Sequence, residues 1–427
     1  MKKCISIIVA LLLCRCVYAQ YTLEDCQTMA RENYPLIKQY ELIEKVAEYN
    51  IVNAKRAWLP QITLSGQASY QNDVVSFPDE MTNVFEMVGI TLNPLHKDQY
   101  RVSLDVSQII WDGGYTKAKK EAEMADMEVM KLSNETDLYA LEERINQIYF
   151  GILTLKEQEK QARLREKLLE ENRNVIATGA ANGVAAESDL NLIEAELLAN
   201  QQYITRIKTS MNAYIKILSL MTGIDIQKTA VFEKPAVPVP STRQILRPEL
   251  KLFDARLSAL EIQKKISNTA VMPKFSFFAQ GLYGYPGFNM FEDMLHYQWS
   301  WNYIVGLRFQ WNVSSFYTKK NNIRNIEVNK NMVNVQKERF IYENNLQQSQ
   351  TNAAINQMLE IMQDDDRIIE LRTKIRIASE SKWQNGIITM SELLKDITNE
   401  TNARLDKSIH ELEWLKKIYE LKSITNN

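Results

Sequence analysis

Residues 61–70 read QITLSGQASY, and two kinds of side chain alternate along the whole segment. Ile62, Leu64 and Tyr70 fall on one side, with the small residues Gly66 and Ala68 between them, and every residue on the other side is polar. A period of two predicts a β-strand whose two faces meet different surroundings. Such a strand needs other strands of the same kind as hydrogen-bonding partners.

Three further segments alternate in the same way, beginning near Tyr100, Phe275 and Tyr303. The predicted strands cover about residues 61–71, 100–110, 274–285 and 302–313. Each has roughly the ten residues that a tilted strand needs to cross a bilayer. A half-buried soluble sheet would alternate equally well, but here the same strand pair occurs twice. We therefore favour membrane strands.

The two faces of these strands differ in their functional side chains. Charged and amide residues on the polar side suit a water-filled lumen: Arg101, Asp105, Arg308 and Gln310. Aromatic residues gather at the segment ends, as in the interfacial girdles of transmembrane barrels: Tyr70, Tyr100, Tyr283, Tyr285, Trp299, Trp301 and Tyr303. These two sets are the candidate lumen-facing and membrane-interface residues.

Four strands are too few to close a barrel, and open strand edges are not tolerated in lipid. The smallest known transmembrane barrels have about eight strands. Several copies of the chain are therefore expected to share one barrel, with eight strands from a dimer or twelve from a trimer.

The chain also contains an internal repeat. Residues 57–64 (AWLPQITL) recur as residues 270–277 (AVMPKFSF), and the Tyr-Thr-Lys sequence of residues 115–117 recurs at 317–319. We predict a first repeat over residues 20–223, an extended linker over 224–248, and a second repeat over 249–427. The fold is expected to be mainly α, with the four strands as its only long extended segments.

Each repeat ends in a long helical hairpin, predicted over residues 115–222 and 317–423, with tight turns at Gly183 and Gly386. Apolar residues follow one another at alternating steps of three and four along both arms of the first hairpin, which predicts an antiparallel coiled-coil seam. In the return arm this seam is predicted to pass through Tyr214 and Leu218.

The N-terminus has the features of a secretory signal peptide over residues 1–19, with lysines, an apolar run and a small-x-small site ending at Ala19. A lipoprotein signal modified at Cys14 or Cys16 is the alternative. Cleavage would leave Cys26 as the one cysteine, so an internal disulfide is not expected.

Composition excludes several classes of function. The formal charge is −2, which provides no basic field for nucleic acid. The three histidines are far apart and form no cluster with cysteine, so no metal site or other cofactor is expected. No acid/base or nucleophile constellation stands out, so the protein is not expected to be an enzyme.

The chain resembles the TolC-like outer-membrane efflux (outer membrane factor) family. The resemblance lies in the entry segment of residues 21–26 (YTLEDC), in residues 57–61 (AWLPQ), in residues 111–114 (WDGG) after the second strand, and in the two glycine turns. It covers nearly all of the mature chain. The order and the duplication of these motifs are more specific than any one of them.

This resemblance implies a homotrimer with a shared 12-stranded transmembrane β-barrel, continued by an α-barrel of 12 helices in the periplasm. It implies a passive duct in the outer membrane for small molecules or proteins. The implied partners are outer-membrane lipid, a periplasmic adaptor (membrane fusion) protein and an inner-membrane pump of the RND or ABC type. It implies no catalysis and no cofactor.

The resemblance also suggests a periplasmic gate at the hairpin turns, with Asp189 and Glu392 next to Gly183 and Gly386. A plainer role is equally open for both acids, since carboxylates stabilise the first turn of a helix. Residues 389–392 (TMSE) also fit a capping box. The lysines that open the long helices, among them Lys117 and Lys319, either bind lipid phosphates or serve solubility.

Two other hypotheses remain for the function of the whole chain. A secreted coiled-coil rod would explain the hairpins, and it could act as an adhesin or as an adaptor without a pore. The adaptor would need Gly-rich lipoyl-like modules, which the sequence lacks, and a plain rod would not need four alternating strands with aromatic ends.

Overall fold

We describe the fold from a computed structural model, which covers residues 20–182, 186–238 and 245–426. The predicted signal peptide (1–19) and the predicted gate residue Gly183 lie outside the described residues. The helices are α1 (Leu23–Asn33), α2 (Ile37–Arg56), α3 (Asp79–Met87), α4 (Tyr115–Ala181), α5 (Glu187–Thr222), α6 (Pro248–Thr269), α7 (Met290–Leu295), α8 (Ser315–Gln384) and α9 (Met390–Thr425).

The strands are β1 (Gln20–Tyr21), β2 (Gln61–Tyr70), β3 (Asp98–Trp111), β4 (Val231–Phe232), β5 (Lys274–Tyr285) and β6 (Ser300–Gln310). The four long strands form one antiparallel sheet in the order β2-β3-β5-β6, and the two short ones form a separate parallel pair. The predicted mainly helical fold with four long strands per chain is confirmed.

The register of the sheet brings like side chains to the same face. Leu64 lies opposite Leu104, Val106 opposite Ala279, and Gly281 opposite Tyr303 in the adjacent pairs. Because strand side chains alternate, this register gathers most apolar positions of the four strands on one face and most polar positions on the other.

A β-bulge near the end of β3 changes the face on which the last residue of the strand lies. Ile109 pairs with Ser276, but the next paired residue is Trp111, opposite Phe275. The extra residue, Ile110, shifts Trp111 by one position and so moves it from the polar face to the apolar face. The indole lies 5.9 Å from the Phe275 ring, centroid to centroid.

The chain divides into two compact units. The sheet unit comprises residues 41–131 and 253–335, and the helical unit comprises the described parts of 1–40, 132–252 and 336–427. The two units draw on both repeats, because α4 and α8 each contribute residues to both units.

The seam of the first hairpin forms the main core of the helical unit. Its α4 positions are buried at the predicted spacing: Leu138, Leu141, Ile145, Ile148 and Ile152. Ion pairs from Arg165 to Glu196 (2.8 Å) and from Arg173 to Glu194 (2.9 Å) show that α4 and α5 run antiparallel. The predicted antiparallel hairpin is confirmed.

The seam along α5 departs from the prediction near its end. Tyr214 is exposed, and the neighbouring Ile215 is buried in its place. Strict alternation of three and four averages 3.5 residues per turn, whereas a straight helix has 3.6 and drifts by about 20° per heptad. One additional step of four, from Met211 to Ile215, absorbs this drift, and the Tyr214 ring instead covers the backbone at Gly151.

Candidate functional site

The polar face of the sheet carries a connected row of hydrogen-bonding groups. The Ser65 and Ser103 hydroxyls lie 2.8 Å apart, and the Gln280 amide donates to the Asp105 carboxylate at 2.5 Å. The Arg308 guanidinium lies over the Phe278 ring, 4.9 Å from its centroid. These cross-strand contacts satisfy charged groups that have no place on an apolar surface.

The register places the four predicted lumen residues on this polar face. Arg101 and Asp105 lie opposite Gly284 and Gln280 of β5, while Arg308 and Gln310 of β6 lie opposite Ser276 and Lys274. The structure therefore brings all four to one surface, on which a charged or polar solute would meet both donors and acceptors.

The apolar face of the sheet is exposed along its full width. Leu64 is 72% exposed and Leu307 is 76% exposed, although leucine is among the residues most often buried in soluble domains. Exposed apolar side chains on this face come from all four strands: Ile62, Leu64, Val102, Leu104, Phe277, Val305, Leu307 and Phe309. An apolar surface of this extent marks contact with a membrane or with another protein.

Most predicted interface aromatics form a row at the loop end of this face, which we call the loop-side row: Tyr70, Tyr100, Tyr283, Trp299, Trp301 and Tyr303. The Tyr100 and Trp299 rings stack at 6.1 Å, and the Tyr283 and Trp301 rings lie 4.7 Å apart. Tyr285 differs from the others because it is buried in the loops, where its hydroxyl accepts from the backbone N–H of His96.

A second aromatic row, which the sequence reasoning missed, lies at the opposite end of the strands. This helix-side row consists of Trp58, Trp111, Phe275, Phe309, Trp311 and Phe316. The Phe275 and Phe309 rings are 5.2 Å apart, and the Trp311 indole N–H donates to the Val271 carbonyl at 3.0 Å. The signal was present in the sequence, but several members lie beyond the alternating segments or, as with Trp111, return to the apolar face through a bulge.

Of the two lysines predicted at the interface, Lys117 is exposed and Lys319 is half-buried. Both lie within the first two turns of their helices, α4 and α8, next to the helix-side row.

The two hairpin turns use their acidic residues differently. At the start of α9, the Glu392 carboxylate accepts from the Thr389 backbone N–H at 2.8 Å, and Thr389 caps the Glu392 N–H in return. At the start of α5 the capping position is Ala186, which has no side-chain acceptor. Within the described residues, no donor lies within hydrogen-bonding distance of the Asp189 carboxylate. The predicted capping box is confirmed, and it engages only one of the two acids.

The second turn also needs its glycine. Gly386 has φ of +69°, a left-handed backbone conformation that a Cβ atom disfavours. Beside it lies a cleft of about 630 Å³ between the two hairpin ends of the helical unit. Its lining includes Val175, Asp189, Trp383 and Met390, so the structure brings Asp189 and Gly386 to one recess.

No helix in the described part of the chain combines the length and the hydrophobicity that a bilayer span requires. The same residues contain no group of histidine, cysteine and carboxylate side chains that could hold a metal ion.

The comparisons with known proteins agree with this architecture. Residues 28–223 match the family model described as "Outer membrane efflux protein". No curated protein matches the sequence. Among solved structures, the outer-membrane channel OprN matches with a TM-score of 0.70 at 14% identity, over 94% of this chain and 89% of that one.

Two further structures match at similar levels. The CmeC outer membrane channel of Campylobacter jejuni gives a TM-score of 0.66 at 15% identity, over 94% of this chain and 85% of that one. The outer membrane protein VceC of Vibrio cholerae gives a TM-score of 0.62 at 13% identity, over 95% of this chain and 96% of that one. At such identities the structural likeness establishes the fold. Residues 28–223 are thus similar in sequence to the outer membrane efflux protein family, and nearly the whole chain shares the fold of these outer-membrane channels.

Proposed function

We propose that three copies of this chain form a passive exit duct, in which a shared β-barrel crosses the outer membrane and the long helices extend into the periplasm. The observation that carries this proposal is a sheet with an exposed apolar face and two open edges, β2 and β6. An exposed apolar face suits lipid, but unpaired edges do not, because their backbone N–H and C=O groups would lack partners there.

The strand count limits the ways in which the edges can be satisfied. Four strands per chain give eight in a dimer and twelve in a trimer, and about eight is the smallest number known to close. A 12-stranded barrel leaves more room for water than an eight-stranded one, whose interior is filled by side chains. The family resemblance also implies a trimer, so we favour twelve strands, lined by Arg101, Asp105, Arg308 and Gln310.

Two apolar stripes on helices of the sheet unit support assembly from several copies. Leu42, Val46 and Tyr49 are exposed along one side of α2, at steps of four and three. Val328, Met332 and Val335 are exposed along one side of α8 at the same steps. Such steps are typical of coiled-coil seams, in which each stripe is buried against a neighbouring helix. We propose that the stripes meet between copies.

In this assembly the chain supplies a pathway and no chemistry. Movement through the duct would be driven from the inner membrane by a pump of the RND or ABC type, reached through a periplasmic adaptor. The duct would thus serve tripartite efflux or type I secretion, for small molecules or proteins.

We further propose that the hairpin turns restrict the periplasmic end of the duct. Threefold symmetry would bring three copies of Asp189 and three of Glu392 near the axis, and rings of carboxylates favour cations. Glu392 is engaged by its cap, so Asp189 is expected to contribute more to selectivity. Gly386 would permit the tight turn that sets the position of Glu392.

Reconstitution tests the assembly. The purified mature chain is expected to form a heat-modifiable trimer in detergent and to conduct ions in planar bilayers. Val328→Glu with Met332→Glu should reduce the trimer fraction at least tenfold. The matched control, Asn331→Glu with Asn334→Glu, changes exposed polar residues on the same helix and should assemble normally. A dispersed monomer that never conducts would refute the proposal.

Single-channel recording tests the gate. Asp189→Ala is expected to lower cation selectivity or to raise conductance by more than Glu392→Ala does. Equal currents and equal selectivity in the wild type and both variants would remove these two acids from the gate while leaving the duct intact.

A further inference from the structure

Basic residues concentrate at the helix end of the sheet. Eight lie close to the ends of the strands there: Lys55, Arg56, Lys117, Lys119, Lys120, Lys274, Lys319 and Lys320. The same short segments, 54–60, 112–120, 269–274 and 311–320, contain Asp112 as their one acidic residue. Asp112 is buried, and its carboxylate accepts from the backbone N–H groups of Gly114 and Thr116 at 2.9 and 2.7 Å. Lys274 lies opposite Gln310 on the polar face of the sheet and is therefore set apart from the lipid-facing side. We call the other seven basic residues the basic belt.

The opposite end of the sheet has the opposite charge. The loops over residues 71–97 and 286–299 carry six acids and a single lysine, Lys97. The acids are Asp73, Asp79, Glu80, Glu86, Glu292 and Asp293. The sheet unit is therefore strongly polarised along the strand direction, with a neutral apolar face between the two ends.

Most of the basic belt is not neutralised by the chain itself. Lys119 pairs with Glu123 at 2.7 Å. Within the described residues, the other six form no ion pair. Moreover, neither α4 nor α8 has an acid in its first turn, where negative charge would be favourable. The belt thus lacks the anions that would complete it.

The position of the belt indicates where those anions come from. The helix-side aromatic row lies between the exposed apolar face and the belt. Moving from the sheet towards the helices, a ligand would meet apolar side chains, then indole and phenyl rings, and then ammonium groups. A phospholipid monolayer offers matching groups in the same order: acyl chains for the apolar side chains, the interfacial region for the rings, and phosphates for the ammonium groups.

We propose that the basic belt binds the headgroups of anionic phospholipids in the leaflet on the helix side of the sheet. This inference rests on the proposed membrane channel and adds its lipid preference. The acidic loops disfavour the same lipids at the other end of the strands. The belt therefore also favours one orientation in a membrane whose leaflets differ in charge.

Lipid selectivity can be measured with the channel itself. The purified protein is reconstituted in vesicles of phosphatidylcholine with brominated phosphatidylglycerol, or the reverse. Quenching of tryptophan fluorescence then reports which lipid lies beside the aromatic rows. The test variant is Lys117→Gln, Lys120→Gln, Lys319→Gln and Lys320→Gln together. The matched control neutralises four lysines of the helical unit: Lys38→Gln, Lys156→Gln, Lys216→Gln and Lys228→Gln.

Wild type and control are expected to enrich phosphatidylglycerol several-fold over its bulk fraction, and the four-lysine variant at the sheet should lose most of that enrichment. The enrichment should also fall as salt concentration rises. Unchanged enrichment in the test variant, or an equal loss in the control, would overturn the inference. Conductance in pure phosphatidylcholine separates the two proposals, because a conducting channel without lipid preference contradicts only the basic belt.

Discussion

The two long helices α4 and α8 occupy equivalent places in the repeat, yet their parts in the helical unit bury opposite kinds of residue. The buried residues of α4 are mostly apolar, including Leu138 and Ile145 at 0% exposure. Between residues 336 and 384 of α8, every buried residue is polar: Asn344, Thr351, Asp365 and Ser379. The α4 helix therefore lies in an apolar core that it shares with α1, α5 and α9, whereas this part of α8 adds no buried apolar residue to that core.

The apolar residues of α8 lie on its exposed side instead. They include Tyr342, Leu346, Leu359, Ile361, Ile368, Leu371, Ile375 and Ile377. The two long helices are thus equivalent in the sequence repeat but differ in whether their apolar residues are buried. The α4 helix stabilises the chain through buried apolar contacts, and α8 keeps an exposed apolar surface that suits contact between copies.

Charged groups hold α8 to α9 where apolar contacts do not. Glu400, 4% exposed, accepts hydrogen bonds from Arg404 (2.8 Å), Thr373 (2.9 Å) and Arg376. Asp365, one of the three consecutive aspartates, is buried against His410 at 3.0 Å. Buried ion pairs bring little net stability, but they become costly when one partner is removed.

The largest effect is therefore expected at Glu400. Glu400→Ala would leave the half-buried Arg376 guanidinium with Glu380 as its one carboxylate partner among the described residues, and it would remove the ion pair of Arg404. We expect a loss of about 3–5 kcal/mol in the free energy of unfolding. Chemical denaturation of the monomer in detergent measures this. Adding Arg376→Met removes the incompletely paired guanidinium and should restore part of the loss. If the double variant is no more stable than the single one, the ion pair does not hold the helices together.

A somewhat smaller effect is expected from the apolar seam of the first hairpin. Leu138→Ala should cost about 2–5 kcal/mol, because it removes buried surface and leaves a cavity. Leu371→Ala on the exposed side of α8 should change monomer stability by less than about 0.5 kcal/mol and weaken assembly instead. Equal losses of monomer stability at the two positions would contradict the inference that α4 contributes to the apolar core of the monomer and α8 does not.

Acid should weaken the second hairpin. Burial alone would raise the pKa of Glu400, but hydrogen bonds from Arg404, Arg376 and Thr373 outweigh it and hold the pKa below its usual range. The stability from this depressed pKa is present above the unfolded value, about 4.3, and is lost as pH falls through the folded value. Hydrogen-exchange protection factors along α9 should fall below about pH 4.3, and Glu400→Gln should flatten that dependence.

The smallest effects concern the two helix starts. Thr389→Ala removes a capping box and should cost about 1 kcal/mol. Ala186→Thr would give α5 the cap that α9 has, with Asp189 as its reciprocal partner, and should stabilise the chain by a similar amount. Thermal unfolding of both variants measures the difference. A loss of stability from Ala186→Thr would show that the two turns are not equivalent in backbone.

Local features were predictable because they depend on neighbours in sequence. The strand at residues 61–70 follows from a hydrophobic period of two, and the long hairpins follow from a period of 3.5. The capping box at Thr389 follows from residue types within one helical turn. The bulge that returns Trp111 to the apolar face was not predictable from the sequence, because a one-residue shift depends on how β3 pairs with β5. The exchange of Tyr214 for Ile215 depends likewise on accumulated helix drift.

The sequence by itself determined the elements, the repeat and the two faces of the sheet, since backbone period and side-chain polarity are properties of short segments. Only the tertiary structure decided which apolar surfaces are enclosed. The same 3/4 pattern is buried at Leu138 and exposed at Leu371. The reason is physical: burial depends on what packs against a surface, and the described part of the single chain leaves these apolar residues of α8 and the apolar face of the sheet uncovered.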